Sequence, residues 1–197
     1  MIAFPMNVVY AKNPEHEEFL RNFDGNVKGL YHIAYLVAIE FSGGAKLRGE
    51  IETALGKPTY LPNEWYPAKD MIVMFDRAIR AGISSERVGL QTMPTYKRAN
   101  PEKFEGKSVR EGFQLLEQAF RGDTTYGGVS PGLQAEAGQA KVYRKGSPLP
   151  CDFFVGVLKG LLTVFSAAGS VEEVECQWKG APACCFQARW TRMAAPR

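Results

Sequence analysis

Histidine is almost missing from this chain: His16 and His32 are the only two in 197 residues. Neither forms a Ser-His-Asp or Cys-His arrangement of usable spacing. That excludes nucleophilic catalysis of either kind. Phosphate-binding glycine motifs are missing too. Gly127-Gly128 has neither phosphate-loop spacing nor a following Lys-Ser/Thr, and no dinucleotide fingerprint occurs. Charge of one sign is scarce, with 24 basic against 21 acidic residues and a net charge of +3, which argues against nucleic acid as a partner. The densest basic stretch, Lys141-Arg144-Lys145, reads as a solvated hairpin end. No apolar run reaches the ~18 residues of a membrane span. The longest, Leu30 to Phe41, is interrupted by His32, read as a core histidine, and by Glu40. Met1 to Met6 lacks the basic n-region and apolar core of a signal peptide. A cytoplasmic protein with reduced cysteines is therefore expected.

What is present is ordinary globular material, 45% hydrophobic and 23% charged, with no repeat or linker, so residues 1–197 are expected to form one domain. Met6 to Tyr10 reads as a short strand, and Leu30 to Phe41 as a buried helix. Ala45 to Leu55 places Leu47, Ile51, Ala54 and Leu55 on one face and stops at Gly56 and Pro58. Ala68 to Ala81 carries an inward stripe of Met71, Met74, Phe75, Ala78 and Ile79. A shorter helix is expected over Glu86 to Met93. Ser108-Val109-Arg110-Glu111 spells a capping box, opening a helix whose core face is Val109, Phe113, Leu116 and Phe120.

After Gly122 the pattern changes. Thr124 to Tyr126 and Gln139 to Tyr143 read as strands joined by a Gly-rich connection containing Ser130-Pro131-Gly132. A helix from Cys151 to about Ala168, stopped by Gly169, shows a wide apolar face of Phe154, Val157, Leu158, Leu161, Leu162 and Phe165. Gly156 and Gly160 on it are expected to allow close helix–sheet packing. Val171 to Trp178 and Cys184 to Trp190 read as a hairpin turning at Lys179-Gly180-Ala181-Pro182. The class is α+β: N-terminal helices packed on a C-terminal antiparallel sheet, with one helix between strands.

All four cysteines lie in that last part: Cys151, Cys176, Cys184 and Cys185. Thiolates and a carboxylate brought together by short connections can hold a tetrahedral Zn²⁺. Glu173 and Glu175 compete for the carboxylate place, and Cys184 and Cys185 for one thiolate place. On an ideal strand Glu173 and Cys176 point to opposite faces, so sharing an ion requires a bulge, or a Cys176 beyond the strand's end. Cys184 shares its strand phase with Phe186, Ala188 and Trp190.

Cys151 to Gly160, then Glu173-Val174-Glu175-Cys176, Gly180 and Cys184-Cys185-Phe186, resembles the 4-vinyl-reductase-type domain: a cysteine before a Gly-containing helix, Glu-x-x-Cys on a strand, a Gly turn and Cys-x-Phe on the next strand. Trp65-Tyr66-Pro67 and Phe120-Arg121-Gly122 are similar to features of small single-domain bacterial relatives from myxobacteria. The resemblance implies an α/β ligand-binding fold with a structural zinc held by Cys151, Glu173, Cys176 and Cys184. The phenol-contacting His and Trp of the sensor members have no counterpart here, so phenol is not implied.

Met71, Met74, Phe75, Phe113, Phe120, Tyr126, Phe154, Leu158 and Trp178 are the residues expected to line a pocket between helices and sheet. Together these point to a non-catalytic domain that binds or senses a small apolar or aromatic molecule. The alternative is a protein–protein interaction module of the same fold without a ligand, acting as a homodimer or on a partner protein, with Trp65, Tyr66 and Trp190 at the interface.

Overall fold

The computed structural model describes residues 5, 7–56, 59–132 and 138–192. Six α-helices, α1 to α6, and six strands, β1 to β6, follow one another. They are α1 (Pro14–Asn22), β1 (Asn26–Lys28), α2 (Gly29–Leu55), β2 (Trp65–Pro67), α3 (Lys69–Arg80), α4 (Ser85–Ala99), α5 (Val109–Asp123), β3 (Gly128–Gly132), β4 (Gln139–Lys145), α6 (Cys151–Val164), β5 (Ala167–Glu175) and β6 (Cys184–Arg192). β1 and β2 make a small ladder. The other four form an antiparallel sheet in the order β3-β4-β6-β5. The α+β class expected from the sequence is the observed one, with α6 between β4 and β5.

The two apolar segments at 30–41 and 45–55 form one long helix, α2, kinked where Gly44 takes φ 85°. A residue with a Cβ would resist that backbone. Ser108 and Glu111 make the capping box in both directions, and α5 follows. Among the described residues, no helix is long and apolar enough to cross a membrane.

Several boundaries differ from the expectation, among them the strand expected over Val171 to Trp178, which spans Ala167–Glu175 and gives way to a 3-10 turn at Gln177–Lys179. Residues 7–10 form a bend and turn rather than a strand, and Met6 lies outside the described residues. α4 does not stop at Met93 but continues through Pro94 to Ala99. Pro94 cannot donate to the Leu90 carbonyl, and Gly160 of α6 is set against that same carbonyl. Thr124 and Thr125 are not a sheet strand: the Thr124 hydroxyl donates to Phe120 O at 2.8 Å and closes α5. The Thr125 N–H meets Asn26 O at 2.9 Å, and the strand begins at Gly128, taking in 130–132. Finally, α6 ends at Val164 because Ser166 turns left-handed, φ 52°. Gly169 then lies inside β5, paired with Trp190.

α6 is the central helix. Gly156 and Gly160 face α4 and not the sheet. A Cβ on Gly156 would lie 2.0 Å from Glu86 O, and one on Gly89 of α4 would lie 2.0 Å from Phe153 O. The glycines therefore bring two helix backbones together. On its other side α6 lays Phe154 on Phe186, ring centres 4.9 Å apart, over the inward sheet residues Ala140, Val142, Val171 and Ala188.

Candidate functional site

Two features stand out in this frame: a polar cluster where α6 meets the sheet, and an apolar cavity among the helices.

The cluster is assembled by three elements. Pro148-Leu149-Pro150 delivers Cys151 as the first residue of α6. β5 and β6 supply the rest. Glu173 pairs with Phe186 and Glu175 with Cys185, so a register shift falls between Glu173 and Glu175. Cys176 lies just beyond the end of β5. Bulge and strand end together cancel the opposite parity of Glu173 and Cys176. Donor atoms of Cys151, Glu173, Cys176 and Cys184 consequently all lie within 4.8 Å of one another. Cys151 Sγ is 3.7 Å from Cys184 Sγ and 4.0 Å from Cys176 Sγ. Cys185 is directed to the opposite sheet face, where it pairs with Tyr143, and Glu175 is exposed.

The cluster is electrostatically uneven. The Cys151 S–H donates to Cys184, which, with the Gln177 N–H at 3.4 Å and the Arg144 charge, lowers the Cys184 pKa to about 6. The same bond, then burial, pushes Cys151 far upward. Burial raises Cys176. Cys184 is thus the most readily ionised thiol of the cluster. Glu173 Oε1 is buried without a hydrogen-bond partner among the described residues.

Arg144 corrects the sequence reading most sharply. It is not at a solvated hairpin end but 2% exposed. Its guanidinium donates to Leu149 O at 3.0 Å, Pro150 O at 3.5 Å and Cys151 Sγ at 3.6 Å. It stands beside the Phe154–Phe186 ring pair, 5.1 and 5.6 Å from their centres. The signal was available: on β4, Ala140, Val142 and Arg144 share one parity, and it is the buried one.

The cavity, of about 50 Å³, lies between α2, α4, α5 and α6. Tyr31, Ala34 and Tyr35 of α2, Thr92, Met93 and Tyr96 of α4, Leu116, Ala119 and Phe120 of α5, and Phe153, Phe154 and Val157 of α6 form its walls. Of the residues expected at a pocket, Phe120 and Phe154 are here. Tyr126 lines an adjacent open groove of about 580 Å³ beside Arg121 and Lys145. Phe113 stacks on Trp190 at 5.3 Å, and Trp178 stacks on His16 at 4.2 Å. Met71, Met74, Phe75 and Leu158 are fully buried core residues away from the cavity wall. The sequence reading missed Tyr31, Tyr35, Met93 and Tyr96. Their spacing of three or four along α2 and α4 was the signal. Burial, with Asp123 beside Tyr31, holds the Tyr31 and Tyr35 phenols well above their ordinary pKa.

No known sequence family profile matches the chain, nor does any curated protein. Solved structures do. One titled as an oxygen-binding H-NOX domain related to soluble guanylate cyclases shares 16% identity at TM-score 0.68, covering 86% of this chain and 99% of that one. An H-NOX protein from S. oneidensis in the Fe(II) ligation state, a mutant, shares 13% at TM-score 0.70, covering 84% and 96%. A third, from work on heme distortion in the H-NOX family, shares 16% at TM-score 0.67, covering 86% and 98%.

These likenesses correct two expectations. The fold neighbours are H-NOX domains over nearly their whole length, not 4-vinyl-reductase-type domains; the motif behind the earlier resemblance spanned only Cys151 to Phe186. The structural zinc implied by that resemblance falls with it, because the cofactor named in the neighbours' titles is heme. Heme in turn does not fit the residues present. At about 50 Å³ the resting cavity has no room for that macrocycle. Neither histidine nor cysteine lines it. His16 is packed on Trp178, and His32 is stacked on Tyr60 with Nε2 3.3 Å from Pro67 O. What the chain shares with the H-NOX structures is the fold.

Proposed function

We propose that this chain is a small-molecule-binding sensor domain, without catalysis of its own, that takes an apolar ligand into the cavity between α2, α4, α5 and α6. The observation that carries this reading is the weakness of one wall. α5 buries only Gly112, Phe113 and Leu116 of its fifteen residues, whereas α4 and α6 are locked backbone to backbone. A ligand larger than the resting cavity enters by displacing α5. Because Phe113 stacks on Trp190, that displacement reaches β6 and the sheet. The fold likeness to a domain titled as oxygen-binding supports a sensing role.

Ethylbenzene is a suitable probe. Wild-type protein is expected to bind it, with amide NMR shifts along α5 and at the Trp190 indole. Ala119→Leu, which fills the cavity from α5, should raise stability by about 0.5–1 kcal/mol and weaken binding at least roughly tenfold. Wild type without ethylbenzene binding would leave the interaction-module reading ahead.

The cysteine cluster supports a second reading. Four donors within 4.8 Å, one of them a buried carboxylate oxygen with no other partner, form a site for a thiophilic metal ion. Titration of reduced, metal-free protein with Cd²⁺ is expected to develop a thiolate-to-metal absorption band saturating at about one equivalent, with Cys176→Ala and Glu173→Gln each weakening it roughly tenfold or more. A titration without that band would show four donors that hold no ion.

A further inference from the structure

The cavity wall carries four hydroxyl groups: Tyr31, Tyr35, Thr92 and Tyr96. Three already have a hydrogen-bond partner, Tyr96 as acceptor only. Tyr31 donates to Asp123 Oδ2 at 3.2 Å, and Thr92 to Val88 O at 2.9 Å. Tyr96 accepts from Lys103 Nζ at 2.9 Å. The Tyr35 hydroxyl makes no hydrogen bond among the described residues, although Tyr35 is only 4% exposed. The oxygen itself is not fully enclosed, so an acceptor can approach it, while the ring is held edge-on to Phe75 at 5.5 Å and to Phe153 at 5.0 Å.

Charge narrows the ligand further. No cationic or anionic side chain is among the cavity's described walls. The nearest buried cation, Arg144, stands behind Phe154 and is turned to two carbonyls and the cysteine cluster. An ionised group placed in the cavity would lose its hydration without a counter-charge. A neutral oxygen acceptor would instead complete the Tyr35 O–H.

We propose that the ligand is a neutral, mainly hydrocarbon molecule bearing one oxygen acceptor, of the ketone, ester or ether class, and that Tyr35 is the residue that selects it by donating its hydroxyl hydrogen. This rests on the cavity being the ligand site. Burial keeps the donor in place, since the Tyr35 phenol stays protonated well above neutral pH.

Acetophenone, ethylbenzene and benzoate separate the elements of this proposal, because they share a ring and differ in the polar group. Calorimetric or NMR titration of wild type is expected to show acetophenone and ethylbenzene binding, with benzoate at least roughly tenfold weaker than acetophenone. Tyr35→Phe removes one oxygen and no existing hydrogen bond, so the variant keeps its fold. It should weaken acetophenone roughly fivefold while leaving ethylbenzene unchanged. If both neutral probes bind but Tyr35→Phe affects them equally, Tyr35 is only wall and the selection is overturned while the cavity reading stands. Benzoate binding as tightly as acetophenone overturns the neutral-ligand class. Wild type binding neither neutral probe sinks the cavity reading itself, and this inference with it.

Discussion

Replacing Gly156 by alanine is expected to cost about 3 kcal/mol, the upper end for overpacking a close contact, although it adds one methyl group to a helix that intrinsic propensity would favour. The new Cβ would stand 2.0 Å from Glu86 O, 2.8 Å from Glu86 C and 2.9 Å from Leu90 N. All three are backbone atoms, so no side chain can rotate away. α4 would have to retreat along its length, and with it the Thr92, Met93 and Tyr96 wall of the cavity. Gly89→Ala should behave alike from the other side, against Phe153 O and Val157 N. Gly49 of α2 is the control. It is helical, with open space where its Cβ would be, and Gly49→Ala should stabilise by about 0.5–1 kcal/mol. Urea denaturation of the three variants decides it. Gly156→Ala and Gly49→Ala moving together would show that the α4–α6 crossing is loose.

That crossing also shows where the sequence could be read and where it could not. The four-residue spacing of Gly156 and Gly160 says that something comes close to one face of α6. It does not say whether a sheet or a helix does so, because that is decided by where α4 lies in space. Local signals translated well. The Ser108–Glu111 box, the apolar face of α5 and the ends of α3 depend on neighbours within a turn. The cluster was legible as a set of donors and as a parity problem. Its solution, a register shift before Glu175, depends on the pairing of β5 with β6 and has no mark in the residues themselves. The cavity was least legible. Aromatic and methionine side chains look the same in a filled core and at a cavity wall, so Met71, Met74 and Phe75 were as plausible as Tyr31, Tyr35 and Met93. Family resemblance failed for a related reason: a short pattern of cysteines and glycines describes a corner of the fold, while likeness over most of the chain is carried by helix and sheet placement at sequence identities of 12–18%.

Arg144→Met should be the most damaging change of a surface-looking residue, costing about 3 kcal/mol. Methionine approximates the length of the stem and can still pack beside Phe154 and Phe186, so the loss isolates the guanidinium. Leu149 O and Pro150 O would lose their donors in a buried setting, and the Cys184 thiolate would lose the cation beside it. Each buried group left unsatisfied costs about 1–3 kcal/mol, and a stranded charge more. The ionisation of Cys184 should respond in a stated direction. Its pKa lies near 6 because of the Cys151 S–H, the Gln177 N–H and the Arg144 charge, so removing the third raises it toward the ordinary thiol range. In ultraviolet titration the thiolate step would move to higher pH, and Cd²⁺ would compete against a more firmly held proton. Lys145→Met, one residue along β4 and exposed, should alter stability by less than about 0.5 kcal/mol. Equal, small effects at both positions would mean that the guanidinium holds neither the carbonyls nor the thiolate. Unequal effects would show that strand parity, a property visible in the sequence, makes one of two neighbouring basic residues the buried counter-charge of the cysteine cluster.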